Sequence, residues 1–213
     1  MIDLLHWLLV PAAYLLGAIP CGYLIARAKG VDIFAEGSGN VGATNVGRVC
    51  GKPAGAAAFI FDVLKGLVPV VVARWIAPTQ PWLHIVCGLA ALAGHVWSVF
   101  LRGRGGKGVS TSLGLALGLS PVAGMVGLGV WAVVLGYVGY VSLASILGTV
   151  AATLVLFGIT DVLAYELAYA AATVLVIVRH RANIGRLIRG EEPRLGETRP
   201  GQATDEGEAT DSE

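Results

Sequence analysis

Long apolar runs separated by short polar junctions limit what this chain can fold into more than any other feature. A helix of about 20 residues, rising roughly 1.5 Å per residue, crosses the roughly 30 Å hydrocarbon core of a bilayer. With 55% hydrophobic and only 14% charged residues, the 213-residue chain is also too apolar for an ordinary soluble domain. We therefore predict an all-α, polytopic membrane protein with helices near residues 4–26, 54–77, 83–101, 109–119, 122–138, 142–158 and 162–178.

The run at 109–119 decides the number of crossings, because alone it spans only about half of the hydrocarbon core. One long helix kinked at Pro121 would give six crossings and leave arginines on both faces. A break before Pro121 gives seven crossings, and 13 of the 15 Lys and Arg residues then share one face, in the junctions 27–52, 102–107 and 179–199. The positive-inside rule makes that face cytoplasmic. We predict seven transmembrane helices, with the N-terminus outside and the C-terminus cytoplasmic.

The short fourth segment needs an explanation of its own in a seven-helix topology. It either thins the bilayer locally or is sheltered by its neighbours. Its residues Gly114 and Gly118 form a GxxxG pattern. Small residues at this spacing let helix backbones approach closely, so we expect tight packing against another helix.

Charge divides the chain into two parts. Residues 191–213 hold eight acidic and two basic residues, which leaves a net charge of +7 for residues 1–190. We predict a transmembrane domain at 1–190 and an acidic, disordered cytoplasmic tail at 191–213. The first apolar run follows no basic segment, which favours a first membrane helix over a cleaved signal peptide.

The chain shows no sign of a metal or cofactor. Its three cysteines, Cys21, Cys50 and Cys87, have no CxxC spacing, and we predict neither a disulfide framework nor a metal site. The glycines of 37–42 match GxGxxG, but no buried strand precedes them, as a dinucleotide site requires. Lys107 is not part of a Walker A loop, because Leu101 stands six residues before it, where glycine is required, and Gly108 directly after it, where a hydroxyl is required.

The polar junctions should carry the chemistry, because the helices are almost free of ionisable groups. The first junction, residues 37–48, reads GSGNVGATNVGR. It could be a flexible linker. However, glycines alternating with hydroxyl and amide side chains and followed by an arginine supply phosphate-binding groups. The candidates are Ser38, Asn40, Thr44, Asn45 and Arg48.

The second junction, residues 102–108, reads RGRGGKG and is followed by Val-Ser-Thr at the start of a helix. Its cations could serve only to orient the chain in the membrane. Glycines on both sides of Lys107 nevertheless let the backbone bend around a ligand. The next helix directs its positive N-terminal end to the same place. We predict an anion site here, with Lys107 and Arg104.

Two further junctions add weaker candidates. Ser142 and Ser145 follow the fifth crossing, although capping of the next helix would explain Ser142. The last junction, 179–186, reads RHRANIGR and could be a basic cluster flanking the membrane. His180 and Asn183 share a helix face there if the helix continues.

Asp62, Lys65 and His95 are ionisable residues inside predicted helices. Asp62 and Lys65 are three residues apart, and a charge near a helix centre costs about 2.5 to 3.5 kcal/mol on insertion scales. They form either a structural ion pair or a wall of the site. His95 could line the same cavity or satisfy a neighbouring carbonyl group.

Four motifs in this order resemble the bacterial acyl-phosphate:glycerol-3-phosphate acyltransferase family: GSGNVGATNVGR, AGH with GRGGKGVST, SLAS, and RHRANIGRL. The similarity extends over residues 5–196. It implies a seven-helix enzyme of the bacterial inner membrane that acts in phospholipid synthesis. Such an enzyme moves an acyl group from acyl phosphate to the 1-hydroxyl of glycerol 3-phosphate, which gives lysophosphatidic acid and phosphate. Neither a cofactor, nor nucleic acid, nor an obligate protein partner is implied.

The resemblance also implies a set of site residues. We assign a catalytic role to Ser38, Lys107, His180 and Asn183. Substrate binding is assigned to Asn40, Thr44, Asn45, Arg48, Arg104, Ser142 and Ser145. None of the four histidines is followed five residues later by aspartate, so the HxxxxD signature of acyl-CoA-dependent enzymes is absent.

Two other functions fit parts of the pattern. A transporter of a phosphorylated solute would also use glycine-rich helix ends, but its polar groups should lie near the bilayer midplane and open to both faces. Here they gather on the predicted cytoplasmic face. A lipid-phosphate phosphatase would need a base and nucleophile pair, and no convincing pair is present.

Overall fold

The computed structural model describes residues 4–197, which form helices joined by short loops and no strand. Two short 3₁₀ helices lie at Leu4–Leu8 and Val99–Leu101. The α-helices of this part of the chain are α1 Leu9–Ala18, α2 Cys21–Ala28, α3 Ala43–Cys50, α4 Lys52–Ile76, α5 Pro81–Val96, α6 Val109–Leu119, α7 Pro121–Val138, α8 Val141–Ile159, α9 Leu163–Arg179 and α10 Arg181–Arg189.

Five helical segments between residues 4 and 197 are long and apolar enough to cross a membrane: Leu5–Ala28, Lys52–Ile76, Pro81–Leu101, Pro121–Val138 and Val141–Ile159. Helices α9 and α10 make a sixth if this pair, bent by 55°, counts as one span. Large apolar side chains on α4, α7, α8 and α9 face outward, as a lipid environment requires. The protein is therefore an all-helical, multi-pass membrane protein, and the seven-crossing topology stays a prediction.

Helix α6 has only 11 residues, and the chain breaks after it as predicted. Ser120 is extended, and its hydroxyl accepts a hydrogen bond from the backbone N–H of Ala123 at the start of α7. Helices α4, α5, α7, α8 and α9 all pack against α6. Arg74 donates hydrogen bonds to the carbonyl groups of Gly118 and Leu119 at the C-terminus of α6. The short helix is thus sheltered by its neighbours, one of the two alternatives expected.

The GxxxG pattern packs α6 closely against α4, which confirms the prediction from its spacing. A Cβ atom at Gly114 would collide with the carbonyl oxygen of Val63, and one at Gly118 would lie 2.8 Å from Cβ of Val70. On the facing helix, a Cβ atom at Gly66 would collide with the carbonyl oxygen of Thr111. This backbone contact fixes the beginning of α6 beside the middle of α4.

The first span is broken between α1 and α2 at Pro20. The carbonyl oxygens exposed by this break find side-chain donors: Ser98 Oγ donates to Ala18 (2.6 Å) and Lys65 Nζ to Ile19 (3.1 Å). Lys65 Nζ also lies 2.7 Å from Asp62 Oδ1. A structural ion pair, one of the two interpretations of Asp62 and Lys65, is therefore present.

The chain turns back after α10 at Gly190, which has a φ of 70°. The backbone N–H of Leu195 then donates to the carbonyl oxygen of Gly139, and Glu192 is buried. The predicted boundary assigns Glu192 to the acidic tail, whereas its side chain packs among the helix ends. The rest of that tail, residues 198–213, lies outside the described residues.

Candidate active site

A cavity of about 140 Å³ lies where four helices begin. The first residues of α3, α6 and α8 line it, as do His180, which precedes α10, and Asn183 in its first turn. The N-terminus of a helix carries a partial positive charge and backbone N–H groups without intrahelical partners. Four such ends around one space make a site suited to anions.

The structure brings together ten of the eleven residues predicted for the site. They come from all four polar junctions, although those junctions are far apart in the sequence. The cavity is lined by Ser38, Asn40, Thr44, Asn45, Arg48, Lys107, Ser142, Ser145, His180 and Asn183.

Arg104 is the exception and does not line this cavity. Arg102 and Gly103 both have positive φ, and Arg104 follows this turn. Its guanidinium group lies 4.0 Å from the ring centre of Phe34, in an open depression that Arg27 also lines. The assignment of Arg104 to substrate binding stays a prediction, which the lining of this cavity does not support.

The first junction is held in shape by two of its own asparagines. Asn45 is buried; its Oδ1 accepts from the backbone N–H of Ser38 (2.7 Å), and its Nδ2 donates to the carbonyl oxygens of Ile33 and Glu36. Asn40 Oδ1 accepts from the backbone N–H of Gly42 (2.8 Å). These amides are engaged with the loop itself and orient Ser38, so the junction is not a flexible linker.

The second junction is fixed against the end of α5. The backbone N–H of Gly105 donates to the carbonyl oxygen of Val96 (3.2 Å), and that of Gly106 donates to the carbonyl oxygen of His95 (3.1 Å). Arg179 donates to the carbonyl oxygen of Gly106 (3.2 Å). Lys107 thus projects from a tightly held turn, and its Nζ donates to Asn183 Oδ1 at 2.6 Å.

His180 lies at the break between α9 and α10, in the junction 179–199 that the predicted topology places outside the membrane. Its Nδ1 is 2.7 Å from the carbonyl oxygen of Val176. A carbonyl can only accept, so Nδ1 carries the hydrogen and Nε2 is left as an acceptor. Burial, assisted by the positive charge of Lys107, lowers the pKa of His180 to about 4. The ring is therefore neutral at pH 7 and is chemically able to accept a proton.

Asn183 joins Lys107 to a buried carboxylate. Its Nδ2 donates to Glu192 Oε1 (2.6 Å), and Arg186 Nε donates to Glu192 Oε2 (2.7 Å). Burial tends to raise the pKa of Glu192, but the hydrogen bonds from Asn183 and Arg186 outweigh it and hold that pKa below its ordinary value. The carboxylate therefore stays charged and fixes the Asn183 amide with its oxygen toward Lys107.

The serines of the third junction occupy the first turn of α8. Ser142 is the second residue of that helix, and Tyr140, at the cap position, makes no side-chain cap hydrogen bond. Capping therefore does not explain Ser142. Ser145 Oγ donates to the carbonyl oxygen of Val141 at 2.7 Å.

Sequence comparison identifies the chain through most of its length. The glycerol-3-phosphate acyltransferase family model matches residues 7–190. The chain belongs to this acyltransferase family. The glycerol-3-phosphate acyltransferase of Geobacter sulfurreducens is 46% identical over 197 residues, which is 88% of this chain and 96% of that protein. The enzyme of Synechococcus elongatus is also 46% identical, over 87% of this chain and 92% of its own length.

Solved structures of PlsY, an integral membrane glycerol 3-phosphate acyltransferase, have the same fold. The glycerol 3-phosphate form has a TM-score of 0.87 at 42% identity and covers 90% of this chain and 96% of that one. The lysophosphatidic acid form has a TM-score of 0.84 at 42% identity and covers 89% and 94%.

In this acyltransferase an apolar groove of about 40 Å³ adjoins the polar cavity. Phe59, Trp131, Val109, Ser110 and Ser145 line both spaces. The groove continues along Leu113, Gly127, Leu128, Gly148, Ala152 and Tyr169. It therefore runs from the helix N-termini into the apolar part of the bundle.

Sequence reasoning missed several lining residues of the acyltransferase site. No sequence pattern indicates that Phe59 and Trp131 line the site. An apolar residue in a membrane helix has the same sequence context whether its side chain faces lipid or a groove. The acidic composition of residues 191–213 predicts that Glu192 belongs to the tail. The glycine at 190 that ends α10, followed at once by a glutamate, is the signal that could have found it.

Proposed function

We propose that this acyltransferase moves a fatty acyl group from acyl phosphate to the 1-hydroxyl of glycerol 3-phosphate, releasing lysophosphatidic acid and phosphate. One observation carries the proposal: a cavity that combines four helix N-termini with Arg48 and Lys107 adjoins an apolar groove. Both substrates carry a phosphate group, and one of them also carries an acyl chain. The relatives solved in a glycerol 3-phosphate form and a lysophosphatidic acid form support this substrate and this product.

Arg48 and Lys107 bind phosphate oxygens, together with backbone N–H groups at the helix beginnings. Of the two carboxylates that line the cavity, Asp62 is paired with Lys65 and Glu192 with Arg186. The surroundings therefore keep an excess of positive charge. That charge also stabilises the phosphate as it leaves the acyl carbon.

The apolar groove holds the acyl chain of the donor. Its lining at Phe59, Leu128 and Trp131 is apolar, while the hydroxyl groups of Ser110 and Ser145 lie where groove and cavity meet. An acyl phosphate bound across this boundary has its chain in the groove and its phosphate among the helix N-termini. Its carbonyl carbon then faces the cavity.

Transfer is direct and needs no acyl-enzyme, because acyl phosphate is already activated. The 1-hydroxyl oxygen attacks the acyl carbon from about 3 to 3.5 Å, and the bond from that carbon to the phosphate oxygen breaks. The hydroxyl proton passes to Nε2 of His180 or to the departing phosphate. Thr44, Ser142 and Ser145 supply neutral hydrogen-bonding groups for the glycerol moiety.

Ser38 is the competing nucleophile, although the direct route gives it only a hydrogen-bonding role. Rapid quenching during turnover with labelled palmitoyl phosphate, followed by mass spectrometry of the peptide that contains Ser38, separates the two routes. Direct transfer predicts no acylated peptide. Acyl-Ser38 that forms and decays at the rate of turnover would contradict it.

The active site lies on the cytoplasmic side of the bacterial inner membrane, in a seven-helix topology with the N-terminus outside. In a cysteine-free background, single cysteines at the exposed positions 29, 102 and 189 should react with an impermeant maleimide only from the cytoplasmic side. A cysteine at Thr79, between α4 and α5, should react only from outside. Labelling of positions 29, 102 and 189 from different sides would contradict this topology.

The donor is tested with purified protein, labelled glycerol 3-phosphate, and either palmitoyl phosphate or palmitoyl-CoA. Lysophosphatidic acid should form with palmitoyl phosphate only. Product from palmitoyl-CoA alone would overturn the choice of donor. Uptake of label into vesicles without any product would favour a transporter.

A further inference from the structure

A buried cluster of ionisable residues, of which Asp62 and His95 line the cavity, takes no part in the steps proposed above. Asp62 and Lys65 of α4 and His95 of α5 are each no more than 6% exposed. Asp62 Oδ1 is 2.7 Å from Lys65 Nζ and 3.6 Å from His95 Nδ1, and this second contact is longer than a hydrogen bond. The cluster thus joins two membrane helices beside residues 103–108, here called the Lys107 turn.

Stability alone does not account for this cluster. The cost of removing the charges of Asp62 and Lys65 from water largely offsets their attraction. Apolar residues of similar size in their place would therefore stabilise the bundle to the same extent. Lys65 has a structural role, because it donates to the Ile19 carbonyl at the break of the first span. That role leaves the contact between Asp62 and His95 unexplained.

The His95 ring lies directly against Gly106. A Cβ atom at Gly106 would collide with Nε2 of that ring, and it would lie 2.8 Å from Cε1. The backbone of Gly106 is also bound on both sides, by the carbonyl oxygen of His95 and by Arg179. Gly106 immediately precedes Lys107, so the orientation of the imidazole ring sets where the Lys107 backbone begins.

We propose that Asp62 and His95 are positioning residues that hold the Lys107 turn in place for phosphate binding. Lys65 pairs with Asp62, the Asp62 carboxylate faces the imidazole ring of His95, and that ring packs against Gly106. This inference rests on the proposed function for its effect on catalysis, but its structural consequence does not depend on the reaction. It assigns a purpose to two ionisable groups inside membrane helices.

The test compares His95→Leu with Ser98→Ala in the full chain in nanodiscs. Leucine has a similar volume to histidine but lacks the imidazole ring, so the contact with Asp62 is lost. Asp62 still has Lys65 as its partner in this variant. Ser98→Ala is the matched control, because it removes a buried hydrogen bond to Ala18 near the same cluster without touching Gly106. Hydrogen–deuterium exchange of residues 103–108 and kcat/KM for glycerol 3-phosphate are measured for both.

His95→Leu should accelerate exchange at Gly106 about tenfold and lower kcat/KM by a similar factor, whereas Ser98→Ala should change neither by more than about twofold. Unchanged exchange with lost activity would overturn the inference, because His95 would then contact the substrate. Equal acceleration in both variants would also overturn it, as general loosening of the bundle.

If His95→Leu does not fold, the double variant Asp62→Asn/Lys65→Met provides the second test. This variant removes both charges and leaves His95 in place without the neighbouring carboxylate of Asp62. It should accelerate hydrogen–deuterium exchange at Gly106 in the same way. Unchanged exchange in this variant would contradict the inference. Absence of acyl transfer by the wild-type protein, with the exchange effect intact, would count against the proposed function alone.

Discussion

Single side chains in this cavity divide into those that we propose to bind substrate and those that hold the loops in shape. Lys107 belongs to the first kind and Asn45 to the second, because the amide of Asn45 is engaged with Ser38, Ile33 and Glu36. Residue types in a glycine-rich junction predicted that both lie at the site. They could not separate the two roles, because an asparagine that binds a ligand and one that binds its own loop have the same sequence context.

Lys107→Ala should strongly lower the rate of acyl transfer while the protein stays folded in membranes. Loss of one preorganised charge that stabilises developing negative charge lowers kcat by about 100- to 1,000-fold. Steady-state kinetics with palmitoyl phosphate measure the effect. Lys29→Ala is the matched control: this exposed lysine lies on the same predicted face but outside the cavity, and its removal should leave the rate unchanged. Wild-type kinetics for Lys107→Ala would contradict its assignment.

His180 should remain neutral well below the ordinary pKa of histidine. Burial disfavours the charged ring and Lys107 adds to this effect, so the pKa of about 4 in the free enzyme should rise in a Lys107→Met variant. Because the pKa is lowered, the unfolded state binds more protons below pH 6.5, and acid should destabilise the fold through this residue. NMR titration of labelled histidine measures the shift, and an ordinary titration near pH 6.5 would contradict it.

Glu191 and Glu192 offer a matched pair for testing the buried network. Each lies 2.7 Å from an arginine, but Glu192 is buried and the Glu191 pair is more than half exposed. Glu192→Ala leaves Asn183 and Arg186 without their acceptor and should cost about 3 to 5 kcal/mol of stability at neutral pH. Glu191→Ala should cost at most about 1 kcal/mol.

Thermal unfolding in detergent measures both glutamate variants. Since the pKa of Glu192 is held below its ordinary value, its contribution is present at neutral pH and is lost as the pH falls through that lowered pKa. Equal unfolding temperatures for the two variants at pH 7 would show that burial of Glu192 has no energetic role.

Among the helices, α6 was the most predictable and α10 the least. Gly114 and Gly118 predict a close helix contact, and Pro121 predicts the break between α6 and α7. Both effects depend on local chain geometry. The 55° bend at His180 has no such local signal, because no proline or glycine is present there. It results from packing of the basic segment against the ends of α8 and α9.

Glycine substitutions in α6 and α7 should differ in their effect on stability. Gly114→Ala places a methyl group against the Val63 carbonyl and forces α4 and α6 apart, so it should lower the unfolding temperature and the acyltransferase activity. Gly129→Ala points into open space and should be neutral or stabilise by up to about 1 kcal/mol. Thermal unfolding in detergent compares them, and equal effects would contradict the packing described for α6.

At the scale of the whole molecule, the bundle gathers four helix beginnings at one place. The sequence predicts the polar junctions and, through their charge, a common face, because membrane insertion follows rules that are local along the chain. It also predicts that the four junctions meet at one electropositive site, but not that α3, α6, α8 and α10 are the helices that begin there. That arrangement depends on contacts such as Asn183 with Glu192, which only the folded chain brings together.

The most direct test of the account is a structure of this protein with bound glycerol 3-phosphate. We expect the phosphate group in the cavity, within hydrogen-bonding distance of Lys107 Nζ and Arg48, and the glycerol hydroxyls toward His180 and the start of α8. Phosphate bound elsewhere, such as the depression formed by Arg27, Arg102 and Arg104, with the cavity empty, would contradict the proposed site.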